Sequence, residues 1–458
     1  MKKEKIENIL EQLLSTGGDF AEVFLENRYS KAYNYVDNKL DAVNTSTSTG
    51  VGLRLAKENN FYYGSTNDFS EKGLNKIIDG LKQNIKDKVI YKNIALNPLK
   101  KYTHNGKNIH SDEEIKAILK EINDKVRKKD KRITQVNITV QNLEQTVTIA
   151  NQSGRYVSED RIRTRLFIRV NLQDGSNLAN VHYSKGLSIG NELLDSIDYD
   201  AVIDELVQTG IDKLYAKPCM GKVMPVIIGP AFGGVIFHEA CGHAMEATSV
   251  ADHLSVLSDD LNQTIAAPKV TIIDDGTLSD EWGSTQIDDE GLETQKNVLI
   301  QDGVLKGYLI DELNSRKMDM APTGSARRQN YTYAPTSRMN NTYLQAGTDS
   351  IDDMIKSIDL GLYAKEMGGG CVSTETGDFN FSCDVAYMIR DGKIAECVKA
   401  ASLIGNTKEI LKNVEMVSDN LELGQGMCGS ISGSVPVNVG QPTIKLSGIL
   451  VGGEANEE

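Results

Sequence analysis

The stretch VMPVIIGPAFGGVIFHEACGH, residues 223–243, decides how the chain is interpreted. Residues 223–228 form the apolar run typical of a buried strand, and the glycines and prolines of residues 229–234 indicate a turn. The pattern of residues 235–249 then predicts a helix, which carries His238, Glu239 and His243. We therefore expect a strand, a turn and a functional helix at the start of the second half of the chain.

The two histidines and the glutamate form an HExxxH pattern that points to metal chemistry. Two neutral imidazoles hold a divalent ion, and a neighbouring carboxylate takes a proton from water. The usual spacing is HExxH, because residues four apart share one face of a helix. The longer spacing places the imidazoles ~140° apart on a regular α-helix. We therefore predict a π-type bulge or a break between Ala240 and His243, with Gly242 as the yielding point.

Two histidines leave a metal site short of protein ligands, and the sequence offers three candidates for a third. His253 lies ten residues beyond His243, in a context that equally suits a loop histidine. Glu246 fits either a group supporting the site or a solvated charge on the helix. Cys428, in the segment GMCG, fits either a thiolate ligand or a small buried side chain.

Two other kinds of chemistry compete with metal binding. Residues 226–234 place a strand and a glycine turn before a helix, as phosphate-binding loops do. Val235 and Ile236 stand where a P-loop requires Lys and Ser or Thr, and the GxGxxG spacing is missing, which disfavours nucleotide binding. A cysteine hydrolase would use Cys241 or Cys428 with a histidine base, but Cys241 and His243 are two residues apart and do not face each other on a helix.

Charge and composition narrow the function further. The 458 residues include 50 Lys and Arg against 64 Asp and Glu, a net charge of −14, which disfavours nucleic acid and anionic membranes as partners. The N-terminus MKKEKIENIL lacks the apolar core of a signal peptide, and no apolar run reaches the ~20 residues of a spanning helix. Six cysteines without a CxxC pair indicate reduced thiols. We expect a cytoplasmic protein.

The periodicities predict an α+β protein with a boundary near residue 218. Residues 1–218 form an N-terminal domain of two helix–antiparallel meander–helix units, about 1–86 and 109–218, joined by a Lys- and Asn-rich linker at 87–108. Ser111 and Glu114 stand at capping-box positions at the start of the second unit. Residues 219–458 contain short alternating segments separated by DDG, QDG and RDG turns. They predict an antiparallel β barrel or sandwich that carries the HExxxH helix.

Further motifs of the second half resemble those of the TldD/PmbA family, described both as modulators of DNA gyrase and as metallopeptidases. The resemblance spans essentially the whole second half, whereas the first half matches only loosely as an arrangement of helices and strands. The motifs are IDDG at 273–276, DDEG at 288–291, VLKGYL at 304–309, RRQ at 327–329, RMNNTY at 338–343, GDF at 377–379, LIGN at 403–406, SVPV at 434–437 and VGQP at 439–442.

The resemblance implies that His238 and His243 bind a metal, generally zinc, with Cys428 as the third ligand and Glu239 as catalytic base. It also implies a dimer, formed with a second copy or with a related subunit that lacks these residues, acting on short or unfolded peptides. This chain keeps all four residues and so resembles the catalytic branch. The segment TGSA at 323–326 departs from the glycine-rich turn expected there.

We therefore predict a metal-dependent peptidase that hydrolyses short or unfolded peptides, with Glu239 as general base to metal-activated water. A non-enzymatic regulatory protein of the gyrase-modulator type and a cysteine hydrolase remain as alternatives. Exposed strand edges of the second half are expected to hold an extended peptide. The sequence leaves open whether Arg327, Arg328 and Arg338 bind a peptide carboxylate or oxyanion or form structural ion pairs.

Overall fold

A computed structural model describes residues 1–87 and 93–454. About 45% of the chain is strand and 23% is helix, so the protein has the mixed helix-and-sheet composition that the predicted class requires. Residues 88–92 of the predicted linker lie outside the described residues. The linker residues that follow contact the first helix. The N–H groups of Ile94 and Leu96 donate to the carboxylates of Glu11 and Glu7.

The first half alternates helices with long antiparallel strands. The predicted capping box is present, since Ser111 accepts the Glu114 N–H while the Glu114 carboxylate accepts the Ser111 N–H. The elements are α1 (Lys3–Leu14), β1 (Phe20–Val36), β2 (Lys39–Lys57), β3 (Asn60–Thr66), α2 (Glu71–Lys82), β4 (Lys100–Tyr102), α3 (Asp112–Lys129), β5 (Ile133–Asn151), β6 (Tyr156–Asp174), β7 (Asn177–Leu187), a 3-10 turn (Asn191–Ser196) and α4 (Tyr199–Leu214).

These strands form one continuous sheet in the order β3-β2-β1-β5-β6-β4, with β7 also paired to β6. The two predicted units meet where β1 pairs with β5, in a register running from Glu22 opposite Asn151 to Val36 opposite Asn137. One apolar cluster gathers α1 and α2 on the sheet, and another gathers α3 and α4. A shared sheet fixes the two units rigidly to each other. The division at residues 218 and 219 stays a prediction.

The second half contains many short strands and short helices. The strands are β8 (Lys217–Pro218), β9 (Lys222–Ile228), β10 (Ile272–Asp275), β11 (Lys296–Gln301), β12 (Val304–Leu305), β13 (Ala326–Arg327), β14 (Thr336–Ser337), β15 (Asn341–Leu344), β16 (Leu360–Val372), β17 (Asp378–Arg390), β18 (Lys393–Lys399), β19 (Ser402–Asn406), β20 (Val414–Val417), β21 (Glu422–Ser430), β22 (Gly433–Gln441) and β23 (Ile444–Gly452). The α-helices are α5 (Val235–Phe237), α6 (Ala247–Val250), α7 (Glu312–Met318), α8 (Ile351–Lys356) and α9 (Thr407–Lys412).

Two larger sheets organise this half. The strands β16, β9, β23, β19 and β17 pair in succession, and β17 pairs again with β16, which closes a barrel. A six-stranded sheet has the order β12-β11-β10-β15-β22-β21. The expectation of antiparallel pairing was wrong in three places, because β16 runs parallel to β9, β15 runs parallel to β22 and β18 runs parallel to β8. Each of these pairs joins distant segments, so no tight hairpin constrains its direction.

The functional helical segment is held by the core of this half. Val235, Ile236 and Phe237 of α5 are buried in a cluster with barrel residues such as Leu362. Ala240 and Cys241 continue into the same cluster. Because these apolar side chains lie in a close-packed core, the backbone that presents His238 and His243 has little freedom to move.

None of the helices within residues 1–87 and 93–454 has the length and apolar character needed to cross a membrane. The 18-residue helix α3 is amphipathic: Ile115, Leu119, Ile122 and Val126 are buried, whereas its first and last turns carry charged side chains. Its pattern is that of a helix packed against a sheet.

Buried ion pairs join the two halves. Arg54 on β2 donates to Glu290 at 2.6 Å and to Glu22 at 2.7 Å. Arg328 donates to the other oxygen of Glu22, also at 2.7 Å. All four side chains are almost fully buried. Ions buried in this way require their partners, because an unpaired buried charge is strongly unfavourable.

We expect Arg54→Met to lower the free energy of unfolding by about 3–5 kcal/mol, because it leaves the buried Glu290 carboxylate without its cation. Chemical denaturation followed by tryptophan fluorescence measures this loss. Lys100→Gln is the matched control, since the exposed Lys100–Glu293 pair also joins the two halves. Exposed pairs contribute little, so the control should unfold at nearly the wild-type denaturant concentration. Equal effects of the two substitutions would contradict the importance of the buried pair.

Candidate metal centre

The backbone departs from a regular α-helix at the HExxxH pattern. After α5 the chain forms a π-helical turn (His238–Gly242) and a 3-10 turn (His243–Met245), and it becomes extended at Glu246 before α6. The N–H of His243 donates to the carbonyl of His238, five residues earlier. The predicted irregularity between Ala240 and His243 is confirmed. The longer turn places the imidazole centroids 5.2 Å apart, with their planes at 83°.

Gly242 does not act as the flexible point that was expected. Its φ of −57° and ψ of −53° are helical and open to any residue. Glycine is required for space instead, because a Cβ atom here would lie 2.0 Å from Met339 Sδ. Met339 therefore packs directly against the backbone between the two histidines.

Cys428 on β21 completes the cluster. Its Sγ lies 3.3 Å from His238 Nε2 and 3.2 Å from His243 Nε2. The three candidate ligand atoms are all within 4.8 Å of one another, the one such group found in the described part of the chain. His238 and Cys428 are only 2% and 5% exposed. Cys428, which lies 190 and 185 residues beyond the two histidines, thus meets them at one largely buried point.

The donor set suits a divalent metal such as zinc. Two imidazole nitrogens and one thiolate are preferred zinc ligands, and three protein ligands leave one position open for water or substrate. Tetrahedral zinc, with Zn–N near 2.0 Å and Zn–S near 2.3 Å, separates its nitrogen and sulfur ligands by about 3.5 Å. The observed Sγ–Nε2 separations of 3.2 and 3.3 Å need only small adjustments to match.

Electrostatics prepares the same three groups for a cation. Burial alone would raise the pKa of the Cys428 thiol, but His238 and His243 outweigh burial and lower it to about 4. Burial would lower the pKa of His243, but Glu246 and Cys428 raise it well above its ordinary value. A thiolate therefore lies against a proton-holding imidazole. A bound metal ion would take the place of that proton.

Glu246 and Arg338 hold the cluster from outside. Glu246 is buried, and its Oε2 lies 2.9 Å from His243 Nδ1, an arrangement that orients a metal-binding imidazole. The fully buried Arg338 donates to the carbonyl oxygen of Cys428 and, at 2.9 Å, to that of Gly433. Arg338 therefore ties β21 in place rather than facing a substrate. The Nδ1 of His238 is buried and has no hydrogen-bond partner among the residues that the structure describes.

The other sequence candidates fall in different environments. The Glu239 side chain is 27% exposed, and its Oε2 lies 3.6 Å from His243 Nε2, at the open side of the cluster. His253 is 74% exposed and faces Asp259 at 3.5 Å, away from the cluster. Cys241 is fully buried in the core, and burial raises its pKa, which excludes it as an exposed nucleophile.

The edge of β21 near Cys428 is covered. β21 is the last strand of its sheet, where an extended peptide was expected to add. Trp282 Nε1 donates at 2.9 Å to the carbonyl of Gly426, and Arg338 occupies that of Cys428. These acceptors are therefore not free for strand addition beside the cluster.

Sequence reasoning missed Asp274, which lies near His238. This buried carboxylate accepts hydrogen bonds from Asn340 N and Thr342 Oγ1, both at 2.8 Å. Burial raises the pKa of Asp274 to about 6, against the opposing effects of these hydrogen bonds and of the positive charge of Arg327. The motifs IDDG and RMNNTY were the available signal, but nothing in the sequence showed that they contact each other.

A buried nitrogen-and-sulfur donor set beside an accessible carboxylate is the chemistry of metal-dependent hydrolases. Family profiles agree with that class. The PmbA/TldA metallopeptidase domain 1 matches residues 21–85, the central domain matches 108–214 and the C-terminal domain matches 221–453. The chain therefore belongs to the PmbA/TldA metallopeptidase family.

Individual relatives carry the same description. The metalloprotease TldD homolog of Haemophilus influenzae is 33% identical over 459 residues, covering 97% of this chain and 95% of the relative. The zinc metalloprotease TldD homolog of Saccharolobus solfataricus is 26% identical over 440 residues, covering 95% of this chain and 97% of the relative. Both relatives match this chain over nearly their whole length, and both are named as metalloproteases.

Solved structures share the fold. A Thermotoga maritima protein proposed to be a modulator of a DNA gyrase has a TM-score of 0.79 at 18% identity, covering 98% of this chain and all of that one (100%). TldE from Thermococcus kodakarensis has a TM-score of 0.76 at 19% identity, covering 98% of this chain and 99% of its own. At these identities the likeness concerns the fold alone.

We expect Gly242→Ala to lower the free energy of unfolding by about 1–3 kcal/mol, because the new methyl group displaces Met339 from a packed core. Thermal or chemical denaturation measures the loss. Gly80→Ala is the control, since Gly80 lies in helix α2 with nothing within 4 Å of an added Cβ. That substitution should be neutral or stabilising by up to about 1 kcal/mol. A neutral Gly242→Ala would show that close packing does not fix the π-helical turn.

Proposed function

We propose that this chain is a metal-dependent peptidase of the HExxxH type. The observation that carries the proposal is the meeting of His238, His243 and Cys428 at one buried point, with Glu239 at its open side. Membership of a metallopeptidase family supports the same class. The substrates are short or unfolded peptides, because a segment without tertiary structure can reach donors that are buried or only slightly exposed.

His238, His243 and Cys428 hold one divalent metal ion, and we propose zinc. The mixed nitrogen and sulfur donors favour zinc over magnesium or calcium, which prefer oxygen ligands. The name of the Saccharolobus solfataricus relative supports the same metal. When bound, the ion supplies a Lewis acid that polarises a peptide carbonyl and lowers the pKa of water.

Glu239 acts as the general base. Its carboxylate is partly exposed, and within residues 1–87 and 93–454 its one polar partner is His243, at 3.6 Å. It is therefore free to accept a proton from the attacking water and to pass that proton to the leaving amine. Glu246 has a different role, because it is buried and bound to the far nitrogen of His243.

We further propose a cytoplasmic dimer that binds neither nucleic acid nor membrane. The second subunit is another copy or a related non-catalytic chain, and the shared fold of TldE supports a related subunit of similar shape. The net charge of −14 disfavours polyanionic partners. Mass measurement of the purified protein, alone and with a co-expressed related chain, tests the assembly.

A cysteine hydrolase is the second candidate, because the Cys428 thiolate lies between two imidazoles as a nucleophile would. Chelation separates the two proposals. A metallopeptidase loses activity with the metal and regains it when zinc is added, whereas a cysteine hydrolase is indifferent to chelators. Elemental analysis of the wild type and of His238→Ala tests the metal site directly. A purified protein that contains no metal but binds gyrase would favour the regulatory alternative.

We expect Glu239→Gln to reduce peptide hydrolysis by about 10²–10⁴-fold while metal content stays at the wild-type level, because the amide cannot accept a proton. Turnover of a fluorogenic peptide and elemental analysis give the two readouts. Glu409→Gln, on an exposed position of α9, is the control and should retain full activity. Undiminished hydrolysis by Glu239→Gln would rule out the general-base role.

We expect Glu246→Gln to weaken metal binding by about 10–100-fold, because the His243 ring loses the carboxylate that orients it and raises its basicity. Competition with a chromogenic chelator measures the affinity. Asp259→Asn provides the comparison, since Asp259 faces the exposed His253 and should not affect metal binding. An unchanged affinity for Glu246→Gln would show that His243 needs no support from this contact.

A further inference from the structure

A cavity of about 190 Å³ lies between the two halves of the protein. Arg163 on β6 lines it from the first half, and Trp282 and Arg327 line it from the second. Met427 and Val435 extend the lining to the hairpin of β21 and β22. The cavity is therefore built from both halves and from the hairpin that carries Cys428.

The cavity adjoins the metal centre. Met427 precedes Cys428 in the chain, and Val435 lies directly opposite Cys428 in the strand register and packs with it. On another side, Arg327 donates at 2.6 Å to the carbonyl oxygen of Met339, the residue that packs against Gly242. The cavity and the cluster therefore share the hairpin of β21 and β22 and are linked through the Arg327–Met339 contact.

Arg163 is a buried cation without a carboxylate partner. It is 4% exposed, and its Nε and Nη2 donate only to the backbone oxygens of Trp282 and Ser284, at 3.0 and 2.9 Å. In the part of the chain that the structure describes, no acidic side chain forms an ion pair with it. Its remaining nitrogen, Nη1, has no hydrogen-bond partner among the described residues, and Arg163 lines both this cavity and a second one of about 420 Å³.

Arg327 has the same character. It is 5% exposed, and its only hydrogen bond among the described residues is the one to the Met339 carbonyl. Its Nε and Nη2 have no hydrogen-bond partner among the described residues. Two guanidinium groups with spare donors therefore line one small cavity.

The other buried arginines of this cavity are already neutralised. Arg161 pairs with Glu159 and Asp289 at 2.7 and 2.8 Å, and Arg328 pairs with Glu22 at 2.7 Å. The lining carboxylates are also fully used. Asp289 accepts from Arg161 and from the Arg328 N–H, and Asp288 accepts from backbone N–H groups. Arg163 and Arg327 therefore form no direct ion pair with any acid among the described residues.

The pKa values of Arg163 and Arg327 reflect their burial without an acidic partner. Burial, reinforced by repulsion from Arg161 and Arg327, lowers the pKa of Arg163 to about 9. Burial likewise lowers the pKa of Arg327 to about 10. Both groups remain cations at neutral pH, in surroundings that disfavour an unpaired charge. An anion that enters the cavity would remove this unfavourable energy.

We propose that Arg163 and Arg327 form a subsite that binds a carboxylate of the peptide substrate beside the metal centre. The proposal rests on the peptidase function proposed above and specifies its substrates as peptides that carry a carboxylate close to the cleaved bond. Guanidinium groups recognise carboxylates through their N–H donors, and Arg163 Nη1 and Arg327 Nε and Nη2 have no partner among the described residues. The carboxylate belongs either to the C-terminus of the peptide or to an acidic side chain.

Calorimetric titration of the full-length Glu239→Gln protein tests the subsite without turnover. The probes are a hexapeptide with neutral side chains and a free C-terminus, the same peptide as its C-terminal amide, and an amide that contains one Asp. We expect the free acid to bind at least about tenfold more tightly than the neutral amide, because hydrogen bonds to charged groups are worth more than neutral ones. Tight binding of the Asp-containing amide would identify a side-chain carboxylate as the source.

Arg163→Gln and Arg327→Gln, each added to the same protein, should remove the preference for the carboxylate and leave the binding of the neutral amide unchanged. Arg165→Gln is the matched control. Arg165 lies two residues beyond Arg163 on the same face of β6, bonds Ser184 and does not line the cavity. It should keep the full preference. A substitution that left the preference intact would overturn the role of that arginine.

Equal binding of all three peptides by the parent protein would overturn the subsite, and this result requires no arginine variant to fold. Equal competition by inorganic phosphate would overturn the assignment to carboxylate. Failure of the peptidase proposal is distinguishable, because it would appear as selective carboxylate binding by a protein whose wild-type form hydrolyses none of the peptides. Failure of the subsite alone would appear as hydrolysis of all three peptides at equal rates.

Discussion

The site depends on one backbone hydrogen bond, from the N–H of His243 to the carbonyl of His238. That bond spans one residue more than an α-helical bond and so turns both imidazoles toward Cys428. In a regular helix the same two residues would point ~140° apart and could not share a ligand. The π-helical turn is held from below by the core around Phe237 and from the side by Met339, which lies against Gly242.

The second constraint is charge buried between the halves. Arg54, Arg161 and Arg328 each pair with buried acids, and these pairs fix the first half against the loops of the second. The same interface contains Arg163 and Arg327, whose charges remain unpaired. An interface that neutralises most of its cations and leaves two facing a cavity has the composition of a binding site rather than of a structural contact.

Local features of the sequence predicted local structure well. The histidine spacing predicted the irregular turn, and Ser111 with Glu114 predicted a helix start, because both depend on neighbours within one turn. Contacts between distant segments could not be predicted: the parallel pairing of β9 with β16 joins residues more than a hundred apart. For the same reason the Gly242 prediction had the right place and the wrong cause, since Met339 is remote in sequence.

Arg327, Arg328 and Arg338 show why residue type alone does not determine role. Arg338 bonds the backbone of the hairpin that carries Cys428, and Arg328 bonds Glu22 of the other half. Arg327 is adjacent to Arg328 in the chain and lines the same cavity, but its one hydrogen bond among the described residues goes to the Met339 carbonyl and not to an acid. A guanidinium is structural where the fold supplies its anion and is available to a ligand where it does not. In this protein a buried arginine without an anionic partner, rather than a sequence motif, indicates where we propose that a substrate binds.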